Sequence, residues 1–499
     1  MLESLLGAFG TAFSPGILLV IVIGTALGII FGTIPGLSAT MAIALSLPLT
    51  YAMDPTAAMA LLMGLYLGGI SGGLVAAILL NIPGTSSSIA TTFDGHPMAQ
   101  NGQAGKALSV AILSSFLSGL LAIIALMLLA PVVTDFAIKL GPHEYFSLAV
   151  FAVAMIAILS SGAMVKGLAA GAVGIGLAMV GTAPVDGTQR FTFGIETLNS
   201  GFDLLPVLIG LFAVAEILKE AERGVAVRAE KKYSVKGFGI TLGEFFAQKW
   251  NFLRSWAIGL GVGILPGMGG GTSNLLSYAA AKSTSKSPEK FGKGTVDGVV
   301  ASESSNNASI GGALIPLLTL GIPGDTVTAM LLGGLLVQGL TPGPLLMTNN
   351  EDIVYGIYAA LLVANVVMLI LMFFGRRVFL YILAIPKYVL LPVVMVLCII
   401  GAYGANNRMF DVVTVLIFGV LGFMLVKGGF PLPPLLLGFI LSPIIEENYS
   451  QAMMLSSGNW ADFMTRPISG VFLLVAITVF VVALVRNNIK SVRSVTAKL

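Results

Sequence analysis

Four short stretches of this chain join a Pro-Gly pair to neutral hydrogen-bonding side chains. Pro35-Gly36 is followed by Ser38. Ile82-Pro83-Gly84 is preceded by Asn81 and followed by Thr85, Ser86, Ser87 and Ser88. Pro266-Gly267 is followed by Gly269, Thr272 and Asn274. Ile322-Pro323-Gly324 is preceded by the polar run Ser304, Ser305, Asn306 and Asn307 and followed by Asp325. Hydroxyls, amides and glycine-exposed N–H groups are neutral donors, and at helix N-termini, where the dipole is positive, they suit an anion. Carbonyls freed where a helix unwinds suit a cation such as sodium. No Lys or Arg lies in these stretches. That fits an anion held by helix ends and hydroxyls, with a co-bound cation offsetting its charge.

All the residues just named except Pro266, Ile82–Gly84, Ile322–Gly324 and Asp325 are therefore candidate solute contacts. Those exceptions, with Glu303, are the candidate ligands of a coupling ion. Bland explanations compete at each position: a serine can bond its own helix backbone, and a glycine can simply ease packing. The Thr85–Ser88 run is favoured as functional as a group. Asp325 follows a break, so capping a half-helix competes with ion coordination. Glu303, an intramembrane acid within a polar run, is read as a coupling-ion or proton site against a packed structural acid. Asp94-Gly95-His96-Pro97 reads as a turn, and both histidines, His96 and His143, as loop residues.

These groups need an apolar scaffold around them. Hydrophobic residues make up 56% of the 499 and charged ones only 10%, against roughly 25% charged in a soluble domain. Mean hydropathy is +0.97. A charge costs about 2.5–3.5 kcal/mol at the centre of a membrane helix, so this thinning implies many membrane spans. Apolar spans are expected at Ala57–Leu80, Ala107–Val133, Tyr145–Leu159, Lys166–Gly181, Phe202–Leu218, Ile353–Phe374, Leu390–Tyr403, Val412–Val426, Leu435–Ile445 and Ile468–Val485. Ile17–Tyr51 and Trp256–Ala281 are each interrupted by Pro-Gly and read as two half-length helices around a turn. The expectation is an all-α polytopic membrane protein with about 10–12 transmembrane helices. The net charge of +3 is too small and scattered for nucleic acid. Cys398, the single cysteine, reads as a small buried apolar residue. The start lacks the basic region of a cleavable signal peptide.

The most informative feature is a self-match. Gly28, Gly32 and Pro35-Gly36 align with Gly259, Gly263 and Pro266-Gly267. Ile70 through Pro83-Gly84 aligns with Ile310 through Pro323-Gly324, and Gln100 with Gly105 echoes Gln338 with Gly343. Paired interruptions in two halves point to a transporter site near the bilayer midplane. The chain then divides into a first transmembrane repeat, 1–218, with broken segments at 17–51 and 81–105. A basic loop, 219–254, a second repeat with C-terminal helices, 255–485, and a basic tail, 486–499, follow. Loop and tail are cytoplasmic by the positive-inside rule. Basic residues also follow the second broken segment, at Lys282, Lys286, Lys290 and Lys293, whereas the first is flanked by none. The hairpins therefore enter from opposite faces, as an inverted repeat of two re-entrant Pro-Gly hairpins.

No GxSxG elbow, HExxH, Walker A loop or cysteine cluster occurs, so the chain reads as no enzyme, with an ion gradient as its energy source. Gly32–Leu37, Asn81–Ser87, Phe93–Ala99, Gly102–Leu108, Leu265–Gly269 and Gly321–Gly324 resemble the large membrane subunit of tripartite tricarboxylate transporters, the TctA family. The resemblance covers nearly the whole chain. It implies a multi-pass permease of the bacterial inner membrane, working with a small four-helix membrane subunit and a periplasmic solute-binding protein. Uptake of a carboxylate such as citrate, by sodium or proton symport, is what the resemblance further implies. No cofactor is expected beyond bound sodium ions, and membrane lipid is the remaining partner. A stand-alone channel or scaffold subunit without coupled transport is the alternative.

The topology is testable in a Cys398→Ala background with an impermeant thiol reagent on spheroplasts. Ser4→Cys should label from outside, because Met1–Ser14 and Met53–Pro55 are assigned to the periplasm. Ser234→Cys and Ser285→Cys should stay protected, and labelling of the last would rule out the second hairpin as drawn.

Overall fold

The computed structural model describes residues 2–159, 164–223, 239, 241–375, 378, 387–478 and 480–481. The principal helices, in chain order, begin with α1 (Leu2–Ala12), α2 (Pro15–Thr33), α3 (Ala39–Thr50), α4 (Pro55–Leu80), α5 (Ile89–Met98) and α6 (Ala104–Ala137). They continue with α7 (Pro142–Leu159), α8 (Met164–Ala178), α9 (Ala215–Arg223), α10 (Lys249–Ile264), α11 (Gly269–Thr284) and α12 (Val296–Leu320). The last are α13 (Thr326–Val337), α14 (Glu351–Phe374), α15 (Lys387–Asn406), α16 (Met409–Lys427) and α17 (Leu432–Leu455). The protein is an all-α polytopic membrane protein. Among the described residues five helical stretches are long and apolar enough to cross a membrane, and Ala39–Thr50, Met164–Ala178, Thr326–Val337, Leu390–Gly404 and Pro467–Thr478 are shorter apolar helices. The only sheet among the described residues is a two-stranded ribbon in which Gly181–Thr182 pairs antiparallel with Gln189–Arg190.

The chain forms two compact units, each drawing one stretch from either half of the sequence. One comprises Met1–Asp135 and Phe212–Asn407, the other Phe136–Leu211 and Arg408–Leu499. In the second unit α17 packs against both α7 and α8, and Phe146, Tyr449, Trp460 and Phe463 form an aromatic group. The first unit holds both Pro-Gly hairpins.

In the first unit α4 and α12 are the core. Their middle thirds are buried on every side, and glycine makes that possible. A Cβ on Gly28 of α2 would lie 2.6 Å from the Leu65 carbonyl oxygen, and one on Gly259 of α10 would strike the Ser305 carbonyl. Gly32 meets Gly69, and Gly263 meets Ser309, in the same register. Backbones that touch gain dispersion contacts that larger side chains would block. The breaks repeat as well: Gly36 (φ +94°) matches Gly267 (+76°), and Asn81 (+58°) matches Gly321 (+72°). This left-handed backbone suits glycine, with asparagine the next best residue.

The contacts also give direction. Gly24, Gly28 and Gly32 advance along α4 from Leu61 to Leu65 to Gly69, so α2 and α4 run the same way. α3 starts back at Gly69, where Ala39 touches it, so the chain leaves the hairpin at the end where it entered. In the second repeat Gly270, Asn274 and Tyr278 meet Ser309, Ser302 and Gly298 in turn, so α11 is antiparallel to α12. After the first Ile-Pro-Gly the chain restarts beside the middle of α4, with Ser88 at Gly73 and Gly95 at Ile78, and α5 runs parallel to α4. Across the repeats α5 runs alongside α11: Ser87 meets Gly270, Ala90 N–H donates to Asn274 Oδ1 (2.7 Å), and Tyr278 OH donates to Asp94 (2.9 Å). It follows that α4 and α12 are antiparallel, meeting where Ser71 Oγ donates to Asn307 Oδ1 at 2.8 Å. The two repeats are inverted.

Several local readings change. Asp94, His96 and Pro97 lie within α5 rather than a turn, because Asp94 bonds across to the second repeat. His143 is buried in the first turn of α7 rather than in a loop. The Phe202–Leu218 span is a continuous helix from Leu204 that widens to a π-helix over Ile209–Val214. The third echo of the repeat does not persist: Gly105 is helical in α6, while Gly343 has φ +132°. Arg228, Lys231, Lys232 and Lys236 of the basic loop and Arg486, Lys490, Arg493 and Lys498 of the tail lie outside the described residues.

Two glycines of one helix test the close packing. Gly259→Ala should lower stability by about 1–3 kcal/mol, read as a drop in Tm in detergent. Gly261→Ala, whose Cβ would meet nothing within 4 Å, should leave Tm unchanged or raise it. Equal effects would mean that the α10–α12 approach does not stabilise the fold.

Candidate functional site

Both hairpin tips and both Ile-Pro-Gly breaks lie beside the middle of α4 and α12, so several half-helices begin there. Gly269, at the start of α11, would place a Cβ 2.7 Å from that of Asp325, the N-cap of α13. Gly270 faces the Ser87 Cβ at the same distance, and Gly271 lies against Ser86. Thus the N-termini at Thr85–Ser88, Gly269 and Asp325 converge. Each contributes roughly half a positive charge. The same region receives the C-terminal ends of α2 and α10, with Gly84 seated on the Gly32 carbonyl and Gly324 on the Gly263 carbonyl, and the Gly267 N–H donates to Gly324 O (2.7 Å).

The repeat exposes how the side chains differ at matched positions. Asp325 closes a capping box with Thr328 (2.7 and 2.8 Å), and Tyr66 OH donates to its other oxygen at 3.2 Å. In the first repeat Thr85 stands where Asp325 stands, with Ser87 and Ser88 hydroxyls at 2.9 and 3.2 Å. Tyr66 is matched by Asn306. Its amide is buried between Gly270 and the Glu303 carboxyl, and neither its oxygen nor its nitrogen makes a well-formed hydrogen bond. Where one repeat completes its polar contact, the other leaves an amide open. An unpaired buried amide costs about 1–3 kcal/mol, and at a functional site a ligand can supply the missing partner.

The other expected residues separate into braces and outliers. Asn274 is engaged at both ends, accepting from Ala90 and donating to Ser302 O (3.3 Å). Asn307 bonds Ser71 and Glu303 O. The carbonyls of Ser304 and Ser305 accept from Ser118 and Ser273, while their own hydroxyls are buried without partners. Ser38 caps α3 by accepting from Met41 N–H (3.2 Å), and Thr272 is half-buried. Pro35 and Gly36 lie at the tip of the first hairpin, where the Glu220 carboxyl of α9 packs against the Gly36 α-carbon. Asn81 is exposed at the C-terminus of α4, apart from the convergence. Ile82 and Pro83 are half-buried, and Ile322 and Pro323 are buried, with Ile322 N–H donating to Pro316 O.

Sequence reading missed Tyr66 and Glu220; the repeat register that equates Tyr66 with Asn306 was the available signal for the first. Asp94 emerges as a clasp. Its Oδ1 accepts from the N–H groups of Gly292, Gly294 and Thr295 at 2.8–3.0 Å, and Oδ2 accepts from Tyr278.

An all-helical membrane chain with inverted, interrupted helices meeting at a polar centre has the architecture of a secondary transport protein. The profile of the tripartite tricarboxylate transporter TctA family matches residues 18–437, and the chain belongs to that family, a family of transporters and not of enzymes. It is 37% identical over 488 residues, 97% of this chain and 96% of the relative, to an uncharacterized 52.8 kDa protein in the TAR-I ttuC′ 3′ region of Agrobacterium vitis. A protein in the TAR-II ttuC′ 3′ region of the same organism is 38% identical over 223 residues, 45% of this chain and 92% of the relative. No solved structure matches significantly.

The clasp can be tested by hydrogen exchange. Asp94→Ala leaves three N–H groups unpaired and should cost at least about 2 kcal/mol, with amides of Gly292–Thr295 exchanging much faster than in the parent. Unchanged exchange there would remove Asp94 from this role.

Proposed function

We propose that this chain is the permease subunit of a secondary transporter of the bacterial inner membrane, taking up a di- or tricarboxylate. A periplasmic binding protein delivers the solute, a small four-helix membrane subunit completes the complex, and a sodium or proton gradient drives uptake. The observation that carries this reading is the open Asn306 amide among three converging helix N-termini. Carboxylate oxygens are acceptors, and Asn306 Nδ2, the Ser86 and Ser87 hydroxyls and the glycine-rich N–H groups of Gly269–Gly271 are the donors that would meet them. Helix ends supply only about half a charge each, and an uncompensated charge in low dielectric is heavily penalised. The compensating cation is placed at the carbonyls of Ile82–Gly84 and Ile322–Gly324 with Asp325. Family membership supports the partners and the carboxylate class.

The test is uptake of labelled citrate and other di- and tricarboxylates into liposomes holding the full complex, under imposed sodium or proton gradients. Accumulation should require one of the two gradients and the loaded binding protein. Asn306→Leu removes an unpaired buried amide, so it should keep or raise Tm while lowering uptake at least tenfold. Ser87→Leu should likewise abolish uptake by filling the space against Gly270. Full uptake by both variants, or conductance without any gradient, would refute this reading.

A further inference from the structure

Glu303 lies on α12, one turn before Asn306, and is fully buried. Three elements close around its carboxyl. Thr91 of α5 approaches Oε1 at 2.5 Å, Ser115 of α6 donates to Oε2 at 3.0 Å, and the Asn306 amide is the remaining polar neighbour. Among the described residues no cation pairs with it. The titratable groups on the surrounding elements are engaged elsewhere. Asp94 and Tyr278 bond each other, as do Tyr66 and Asp325, Lys106 pairs with Glu244, His96 bonds Ile78 O, and Arg254 bonds Asn251 and Thr284. Lys249 and Lys282 lie near the outer ends of α10 and α11, away from the Glu303 cage.

Counting hydrogens shows what this cage can do. With the carboxylate ionised, the Thr91 and Ser115 hydroxyls both donate to it. With the acid protonated, its O–H donates to Thr91 Oγ1 and the Thr91 hydroxyl turns to Ser302 Oγ, 3.1 Å away. The Ser302 hydroxyl already donates to Val299 O at 3.1 Å. Every hydroxyl and carboxyl hydrogen of Thr91, Ser115, Ser302 and Glu303 has an acceptor in either state, and rotation of the Thr91 hydroxyl interconverts them. A structural acid needs only one state satisfied; a site that loads and unloads a proton needs both.

We propose that Glu303 is the proton-binding site that couples proton flux to solute binding in this chain. Binding converts the carboxylate to the neutral acid. The amide oxygen of Asn306 faces Gly270, which leaves its N–H groups to the nearby Glu303 carboxylate; protonation removes that acceptor and frees the amide to turn its N–H groups toward a solute carboxylate. Solute and proton therefore bind together. This rests on the transport reading above.

The test uses the full complex in liposomes, with the same labelled carboxylates, and pH-difference infrared spectra of the purified chain. Glu303→Gln cannot lose a proton, so solute–solute exchange should persist while proton-driven accumulation and solute-induced proton uptake fall at least tenfold. The parent should show a protonated-carboxyl band that titrates and that the variant lacks. Unimpaired proton-driven accumulation by Glu303→Gln overturns the proposal, as does sodium-only coupling in the parent. Where Glu303→Gln fails to insert, Ser115→Ala, which keeps the carboxyl and removes one donor, must move the midpoint of the band; an unmoved midpoint also overturns it. If the parent complex takes up no carboxylate in any gradient, the transport reading falls by itself, and the infrared titration still decides whether Glu303 exchanges a proton.

Discussion

A helix interrupted inside an apolar medium leaves N–H and C=O groups that water cannot reach, each costing free energy until it finds a partner. In this protein the interruptions are set against one another and against neighbouring backbone. The Gly267 amide bonds the Gly324 carbonyl, and Gly84 rests on the Gly32 carbonyl. Such contacts demand backbones closer than any side chain allows, which is why Gly28, Gly32, Gly259 and Gly263 face carbonyls of α4 and α12. Once the breaks must meet beside two fully buried helices, the half-helices have to start there. Their N-termini then point into one shared region.

Inversion gives that region its asymmetry. The backbone repeats, but the side chains at matched positions do not: Asp325 with Tyr66 on one side, Thr85 with Asn306 on the other. The first pair is self-contained, since a carboxylate at a helix N-cap receives an N–H, two hydroxyls and the local dipole. The second is not, and the open amide carries the energetic cost. A uniform core would have satisfied both, as buried polar groups nearly always are.

The same comparison sorts the polar residues of α12. Asn307 and the Ser304 and Ser305 carbonyls tie α12 to α4, α6 and α11, and Asn274 and Asp94 tie α11 and the Gly292–Thr295 loop to α5. These bonds hold two inverted halves in register, where apolar contacts alone would allow sliding, because packing forces between membrane helices are non-directional. Glu303, caged by hydroxyls from α5 and α6, sits on this seam.

The all-helical class, the two interrupted hairpins and the inversion were legible in the sequence because each follows from local chemistry. Apolar runs must span, Pro-Gly must break, and basic residues gather on one side. The polar cluster near Thr85–Ser88 was legible for the same reason. What each polar residue does was not. Asn274, Asn306 and Asn307 are alike in sequence, yet two are braces and one is open, and Asp94 looks like a turn residue while clasping a loop 198 positions away. Those distinctions depend on which partner lies within about 3 Å. Such distances belong to the meeting of the two repeats, and only the tertiary structure decides them, because burial turns an unpaired polar group from a solvated surface feature into a costly vacancy.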